Sequence, residues 1–311
     1  MRIIFMGTPE SAVPSLERCV ADGHEIVSVW TQPDRPSGRG HKVALREVKQ
    51  VALSFGLNVE QPTKIRTDEA KEVFRSYEAD LAIVVAYGKI LPREFLQAPK
   101  RGCINVHFSL LPRYRGAAPV NWAIINGDRE TGITTMFIET ELDSGPILLQ
   151  RATTVGVRET APELMGRLSV AGAELLSETL AGLDEIIPRP QNHQDATLAP
   201  MLKKEDGVID WSIDAPAIER RVRGLQPWPN AYTCFRSQRL IVWRADTLGH
   251  VSETGEVGNI LRATGDDLVV RCGDQTALKL LEVQPEAKRR MSVRDFVNGT
   301  HLKIGDRFGA V

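Results

Sequence analysis

Four cysteines in 311 residues, Cys19, Cys103, Cys234 and Cys272, are too few and too scattered for a disulfide framework, and no two stand at C-x-x-C spacing. They read as free thiols in a reducing compartment, so a cytoplasmic location is expected. The chain also lacks any apolar run approaching the about 20 residues that cross a bilayer, and it has no basic stretch followed by an apolar segment at its start. No membrane role is expected. Net charge is nearly absent, at −1 from 39 Lys and Arg against 40 Asp and Glu, so a polyanionic partner would have to be met by local basic patches. Gly7 sits at the first strand-to-helix turn, but the rest of G-x-G-x-x-G is missing, which disfavours a dinucleotide site. Internal repeats and low-complexity tracts are missing too, and no ligand cluster asks for a metal.

What the chain does have is an ordinary globular composition, 42% hydrophobic and 25% charged, over a length that exceeds a usual single domain. Met1 to Met6 and Leu81 to Ala86 are short apolar runs of the kind that parallel strands make when both faces are covered. Thr8 follows the first run as a helix N-cap candidate, and Val13, Leu16 and Val20 lie on one helical face. Helical patterns follow over 49–55, 67–77, 117–126 and 163–183. Periodicity fades from Ile186 to Leu202, with prolines at 188, 190 and 200, which marks a linker over 186–206. Beyond it come short β-rich runs, among them Tyr232–Phe235, Leu240–Trp243, Gly255–Ile260 and Leu278–Leu281, spaced as in a small barrel. The expected fold is thus α/β: a doubly wound, mostly parallel sheet over 1–185, then a C-terminal OB-like barrel over 207–311.

The stretch with most chemistry is 103–116, Cys-Ile-Asn-Val-His-Phe-Ser-Leu-Leu-Pro-Arg-Tyr-Arg-Gly. On a strand, Asn105 and His107 share a face, and Pro112 ends the ladder just beyond them. An amide donor beside an imidazole suits acyl transfer to an amine: the amide can stabilise the carbonyl oxygen's developing charge while the imidazole handles protons. In isolation such a triplet is more often just two polar residues satisfied by backbone, since it is common by accident. A second loop, Glu141-Leu-Asp-Ser-Gly-Pro146, follows a strand-like run over 132–138 and brings Asp143 as a partner for the imidazole or as a loop cap.

With Ile104-Asn-Val-His107, Ser109-Leu-Leu-Pro112, Arg113-Tyr-Arg-Gly-Ala-Ala-Pro119 and Leu142-Asp-Ser-Gly145 on the page, the sequence resembles the formyltetrahydrofolate-dependent formyltransferases, and most closely their tRNA-directed branch. Phe108 departs from the family's usual small residue and Pro146 from its frequent acidic one. The resemblance covers essentially the whole chain. It implies catalysis by Asn105, His107 and Asp143, 10-formyltetrahydrofolate as co-substrate against Ser109, Leu110, Leu111 and Pro112, and initiator methionyl-tRNA as acceptor. No metal and no membrane are implied, and a monomer is expected.

The Pro- and Gly-rich loop over 33–49 carries five basic and two acidic side chains from Asp34 onward and reads by itself either as solvated surface or as a functional insertion. The resemblance makes it the loop that enters the tRNA acceptor end, with Arg39 at the key position and Lys42 as a phosphate contact. Arg220, Arg221 and Arg223, and the cluster Lys288-Arg289-Arg290, are further candidates for phosphate. Formyl transfer to a small amine, hydrolysis of formyltetrahydrofolate, and a non-catalytic RNA-binding module are the competing readings.

Overall fold

The computed structural model describes residues 1–37 and 42–309. They divide into two compact units, one of residues 1–119, 130–154 and 165–200, the other of 120–129, 155–164 and 201–311.

The first unit is built on β1 (Arg2–Gly7), β2 (Glu25–Trp30), a hairpin of β3 (Arg35–Ser37) and β4 (Lys42–Ala44), β5 (Val59–Glu60), β6 (Leu81–Val85) and β7 (Cys103–His107). β8 (Arg115–Gly116), β9 (Glu130–Phe137), β10 (Ile147–Thr154) and β11 (Leu198–Ala199) complete it. Its seven-stranded sheet runs β10-β9-β7-β6-β1-β2-β5, and β5, β2, β1, β6 and β7 are parallel while β9 and β10 are antiparallel. The chain reverses its direction of travel across the sheet between β1 and β6. In such sheets ligands bind beyond the carboxyl ends of the strands near that reversal.

The apolar runs are continuous because both faces of the sheet are covered. On one face Trp30, Phe74 and Phe95 pack together, with ring centroids 5.2, 5.5 and 4.1 Å apart, in the same cluster as Ala82, Val84 and Cys103. Phe74 comes from α3 (Asp68–Ser76), whose N-cap Thr67 accepts from the amide of Ala70, and Phe95 from α4 (Arg93–Leu96). The other helices here are α1 (Val13–Ala21), α2 (Glu47–Ser54) and, from Met165 onward, α6 (Ala161–Ala181), while α5 (Pro119–Asn126) falls in the second unit from Val120 on. On the opposite face Gly172 of α6 comes so close that an added Cβ would lie 3.1 Å from Val106 and 3.4 Å from Phe108. The bulky Phe108 is therefore accommodated under a glycine, away from Asn105 and His107.

Two local expectations change. Thr8 does not cap a helix: its hydroxyl donates to the Tyr87 carbonyl at 3.3 Å and accepts from the Gln32 amide at 3.2 Å, tying the ends of β1, β2 and β6 together. Gly7 is required by crowding rather than by a phosphate, since an added Cβ would sit 2.8 Å from Ala12 and 3.0 Å from the Val85 carbonyl. The linker expected over 186–206 divides at Pro200: β11 pairs with β8 in the first unit, and residues from Met201 onward belong to the second.

The second unit holds an antiparallel sheet of β12 (Ala231–Phe235), β13 (Gln238–Leu248), β14 (Ile260–Thr264), β15 (Asp267–Arg271), β16 (Ala277–Pro285) and β17 (Met291–Ser292), in the order β12-β13-β16-β15-β14 with β17 on β16. α7 (Ala215–Gly224) and α8 (Val293–Thr300) are capped by Asp214 and Ser292. The strand expected at Gly255–Ile260 begins only at Ile260, because Gly258 adopts a φ of 84° that breaks extended pairing before it. The arginines of α7 are engaged within this unit: Arg220 donates to the Ile125 carbonyl, Arg221 to the Asp206 carbonyl, and Arg223 pairs with Glu219 at 2.6 Å. Lys288 and Arg289 stay exposed.

Candidate active site

β7 and β9 pair with Asn105 opposite Met136 and His107 opposite Thr134, so these four side chains share one face of the sheet at the carboxyl end of β7. His107 is buried, 5% exposed, and its Nε2 lies 2.9 Å from the carbonyl of Tyr114. A carbonyl only accepts, so Nε2 carries the proton in this hydrogen bond and Nδ1 is the nitrogen on the side of Asp143. Nδ1 lies 3.7 Å from Asp143 Oδ2, too far for a direct hydrogen bond but close enough for attraction to a protonated ring. Asn105 is half-buried, and among the described residues its side-chain amide makes no hydrogen bond. A donor left unpaired beside a buried imidazole is available to a ligand oxygen.

Asp143 arrives from the loop between β9 and β10. Its Oδ2 accepts from the backbone amide of Gly116 at 2.8 Å, and its backbone is left-handed at φ 49°, a conformation non-glycine residues rarely hold. Gly145 lets the loop close, since an added Cβ would run into the Phe137 carbonyl. Gln191 joins from outside every motif noticed in the sequence. Its amide nitrogen donates to the carbonyls of Asp143 at 2.9 Å and Gly145 at 2.8 Å, and its Oε1 accepts from Arg115 Nε at 3.1 Å and Nη2 at 2.7 Å. No periodicity or motif marked it. Its burial, with only 6% exposed, is visible in the fold alone.

The Ser109–Pro112 turn uses much of its backbone internally. Leu111 N donates to Thr134 Oγ1 at 3.1 Å, its carbonyl accepts from Gln150 at 2.8 Å, and the Thr134 hydroxyl donates to the Ser109 carbonyl at 2.7 Å. Ser109 Oγ donates to the Arg113 carbonyl at 2.7 Å. These groups are satisfied internally, so what Leu110 and Pro112 leave for a ligand is half-buried apolar surface, while Leu111 packs on Met136 and Ile147. The turn after β6 is fixed by Gln32, which donates to the carbonyls of Tyr87 at 3.1 Å and Gly88 at 3.0 Å. Lys89 reaches the Pro62 carbonyl at 2.6 Å, and its burial pulls the ammonium below its ordinary pKa. Ile90, 70% exposed, leaves an apolar side chain at the end of β6, whose Val84 pairs with Asn105.

Arg39 lies outside the described residues. Lys42 begins β4, whose backbone pairs with Ser37. At the hairpin's root Lys49 bonds to Asp34 and, at 2.6 Å, to Gln61. Burial raises the Asp34 carboxyl's pKa, but the hydrogen bonds from Lys49 and Gln61 outweigh it and hold the group below its usual range. Lys49 thus anchors the insertion and its charge is already matched. Among the described residues no group of three or more His, Cys, Asp or Glu side chains is arranged to hold a metal, and no helix is long and apolar enough to cross a membrane.

Residues 1–180 match the family described as formyl transferase, and residues 201–301 match the formyl transferase C-terminal domain. A methionyl-tRNA formyltransferase of Solibacter usitatus is 48% identical over 311 residues, covering 99% of both chains. The chain belongs to the methionyl-tRNA formyltransferase family. Another relative of that name, from Caldanaerobacter subterraneus, is 46% identical over 98% of this chain and 99% of its own. Among solved structures, a sugar 3N-formyl transferase shares the fold with a TM-score of 0.68 at 16% identity, covering 93% of this chain and 99% of the other. The methionyl-tRNA formyltransferase of Clostridium thermocellum aligns with a TM-score of 0.57 at 18% identity over 79% and 93%. Asn105, His107 and Asp143 lie within the first family segment, while Gln191 falls between the two.

Proposed function

We infer that Asn105, His107 and Asp143 carry the reaction of this family: the chain is a formyltransferase that formylates the α-amino group of methionine on initiator methionyl-tRNA. The observation that carries the assignment of residues is the unpaired Asn105 amide beside a buried His107 whose Nδ1 faces Asp143 at 3.7 Å. The exposed apolar side chain of Ile90, on the turn after β6, suits the face of a flat heterocycle such as the pterin of the folate. Bound there, 10-formyltetrahydrofolate supplies the formyl group, whose bond to N10 breaks as the methionyl nitrogen bonds to its carbon, one proton leaving the amine and one reaching N10.

Asn105 donates to the formyl oxygen as its charge grows. His107, fixed through Nε2 on the Tyr114 carbonyl, turns Nδ1 to the reacting centre and adds positive charge there when protonated. Asp143 balances that charge and orders the proton's path from the amine toward N10. Leu110 and Pro112 flank the folate through apolar surface, with Ser109 and Leu111 buried behind them. Arg39 and Lys42 of the inserted loop meet tRNA phosphates, the exposed Lys288 and Arg289 are separate phosphate candidates, and the antiparallel strands of the second unit are read as an OB-like barrel. The free cysteines, with Cys19 and Cys103 pushed up to about 12 by burial, support a reducing cytoplasmic setting, and the protein is read as a monomer.

The direct test incubates the chain with 10-formyltetrahydrofolate and charged initiator or elongator methionine tRNA and looks for acid-stable formylmethionine. Asp143→Asn is expected to leave folate binding within about two-fold and to slow single-turnover transfer by roughly 10- to 100-fold, the worth of one charged contact of about 1.5–3 kcal/mol. An unchanged single-turnover rate removes Asp143 from the chemistry. Arg39→Ala is expected to raise KM for tRNA, leave folate binding unchanged, and lower the slope of log K against log salt by about 1. Equal losses for both substrates would count against the loop assignment.

A further inference from the structure

We propose that Gln191 is a positioning residue for formyl transfer, clamping the Asp143 loop to the catalytic strand's own exit turn; the proposal rests on the functional reading above. Four bonds close a ring. Asp143 Oδ2 accepts from Gly116 N at 2.8 Å, Gly116 follows Arg115 in sequence, Arg115 donates twice to Gln191 Oε1, and Gln191 Nε2 returns to the Asp143 carbonyl at 2.9 Å. The carboxylate of Asp143 is therefore held through its side chain at one end and through its backbone at the other. The second donation, to the Gly145 carbonyl at 2.8 Å, fixes the position where the loop must close against Phe137.

The site asks for one side chain that accepts and donates at the same depth. Arg115 is 8% exposed and Gln191 6%, so neither partner has water to fall back on. Arg115 Nη1 also reaches His193 Nδ1 at 3.4 Å, and among the described residues the guanidinium has no carboxylate in ion-pair range. A glutamate at 191 would satisfy Arg115 better than glutamine does, through an ion pair, and yet would present only acceptors to two carbonyl oxygens. That substitution separates holding the fold from holding the loop. Asp143 lies 48 residues from Gln191 in sequence, so its 3.7 Å approach to His107 depends on a remote amide rather than on its own loop alone. A shift of about 1 Å in a reacting geometry costs on the order of 100-fold in rate.

The test uses the full-length protein with 10-formyltetrahydrofolate and initiator methionyl-tRNA. Gln191→Glu, which gains an ion pair with Arg115 but loses both donations to carbonyls, is expected to melt above Gln191→Met and to keep both KM values within about two-fold, while single-turnover transfer falls roughly 10- to 100-fold. Gln191→Met, which loses both halves of the clamp, is expected to lose the same rate and to melt lower. In an Asp143→Asn background, Gln191→Glu should cost less than about three-fold, because the group it positions is already disabled. A Gln191→Glu protein at wild-type rate, a raised KM with an unaltered rate, or a full additional loss on top of Asp143→Asn each overturns the positioning role. A wild-type chain that formylates no tRNA overturns the functional reading and this role with it, whereas an active wild type with an unimpaired Gln191→Glu variant overturns the role alone.

Discussion

Asn105→Ala is expected to slow single-turnover formyl transfer by about 100- to 1000-fold, the effect of removing one fixed donor from a developing oxyanion, while the melting temperature stays near that of the wild type. The two halves of this expectation have one cause. Among the described residues the Asn105 amide bonds to nothing, so its removal strands no partner and opens no buried cavity, its side chain being half-exposed. On the proposed assignment the amide serves a ligand oxygen instead. Transition-state charge on that oxygen is larger than the ground-state dipole, so the loss should fall on the chemical step more than on folate affinity. Rapid-quench single turnovers, with folate binding measured separately, check this. A rate within a few-fold of wild type would show that a different donor holds the oxyanion.

For His107 the expected loss is comparable, about 100- to 10,000-fold for His107→Ala, but it comes with a stability cost that Asn105 does not share. His107 is buried and its Nε2–H donates to the Tyr114 carbonyl at 2.9 Å; deleting the ring removes that hydrogen bond and the ring's packing, at a cost of about 1–3 kcal/mol readable by urea unfolding. His107→Gln separates the two contributions. A glutamine amide can donate to the same carbonyl and recover part of the stability, yet it has no group that gains and loses a proton near neutral pH. Restored stability with the rate still low is the expected pattern. If His107→Gln recovered the rate along with the stability, His107 would be a strut for the Tyr114 turn and not a proton-handling group.

Several features of the site follow from local rules. That Asn105 and His107 share a face follows from the two-residue repeat of a strand, and that the strand ends soon after them follows from Pro112. α7 has the bounds Ala215–Gly224 that capping by Asp214 and its apolar spacing imply. The misplaced features have physical reasons too. Thr8 could have capped a helix, but the Tyr87 carbonyl and the Gln32 amide, 79 and 24 residues away, compete for its hydroxyl and win. The arginines of α7 looked free for phosphate because charge says nothing about which carbonyls a fold brings within reach. Lys49, counted only as one of the loop's basic residues, is tied down at its root by Asp34 and Gln61.

The sequence by itself determined the α/β order of the first unit, the side-by-side pair on β7, and the family, because those depend on alternation along a strand and on contiguous motifs. Only the tertiary structure decided which nitrogen of His107 is tied to Tyr114, how Asp143 approaches it, and that Arg115 and Gln191 hold the loop. The bonds that make these choices join residues 7, 27, 48 and 76 positions apart. Short-range alternation is a property of the covalent backbone, whereas such partners are selected only when burial removes water and every remaining donor and acceptor must find a match.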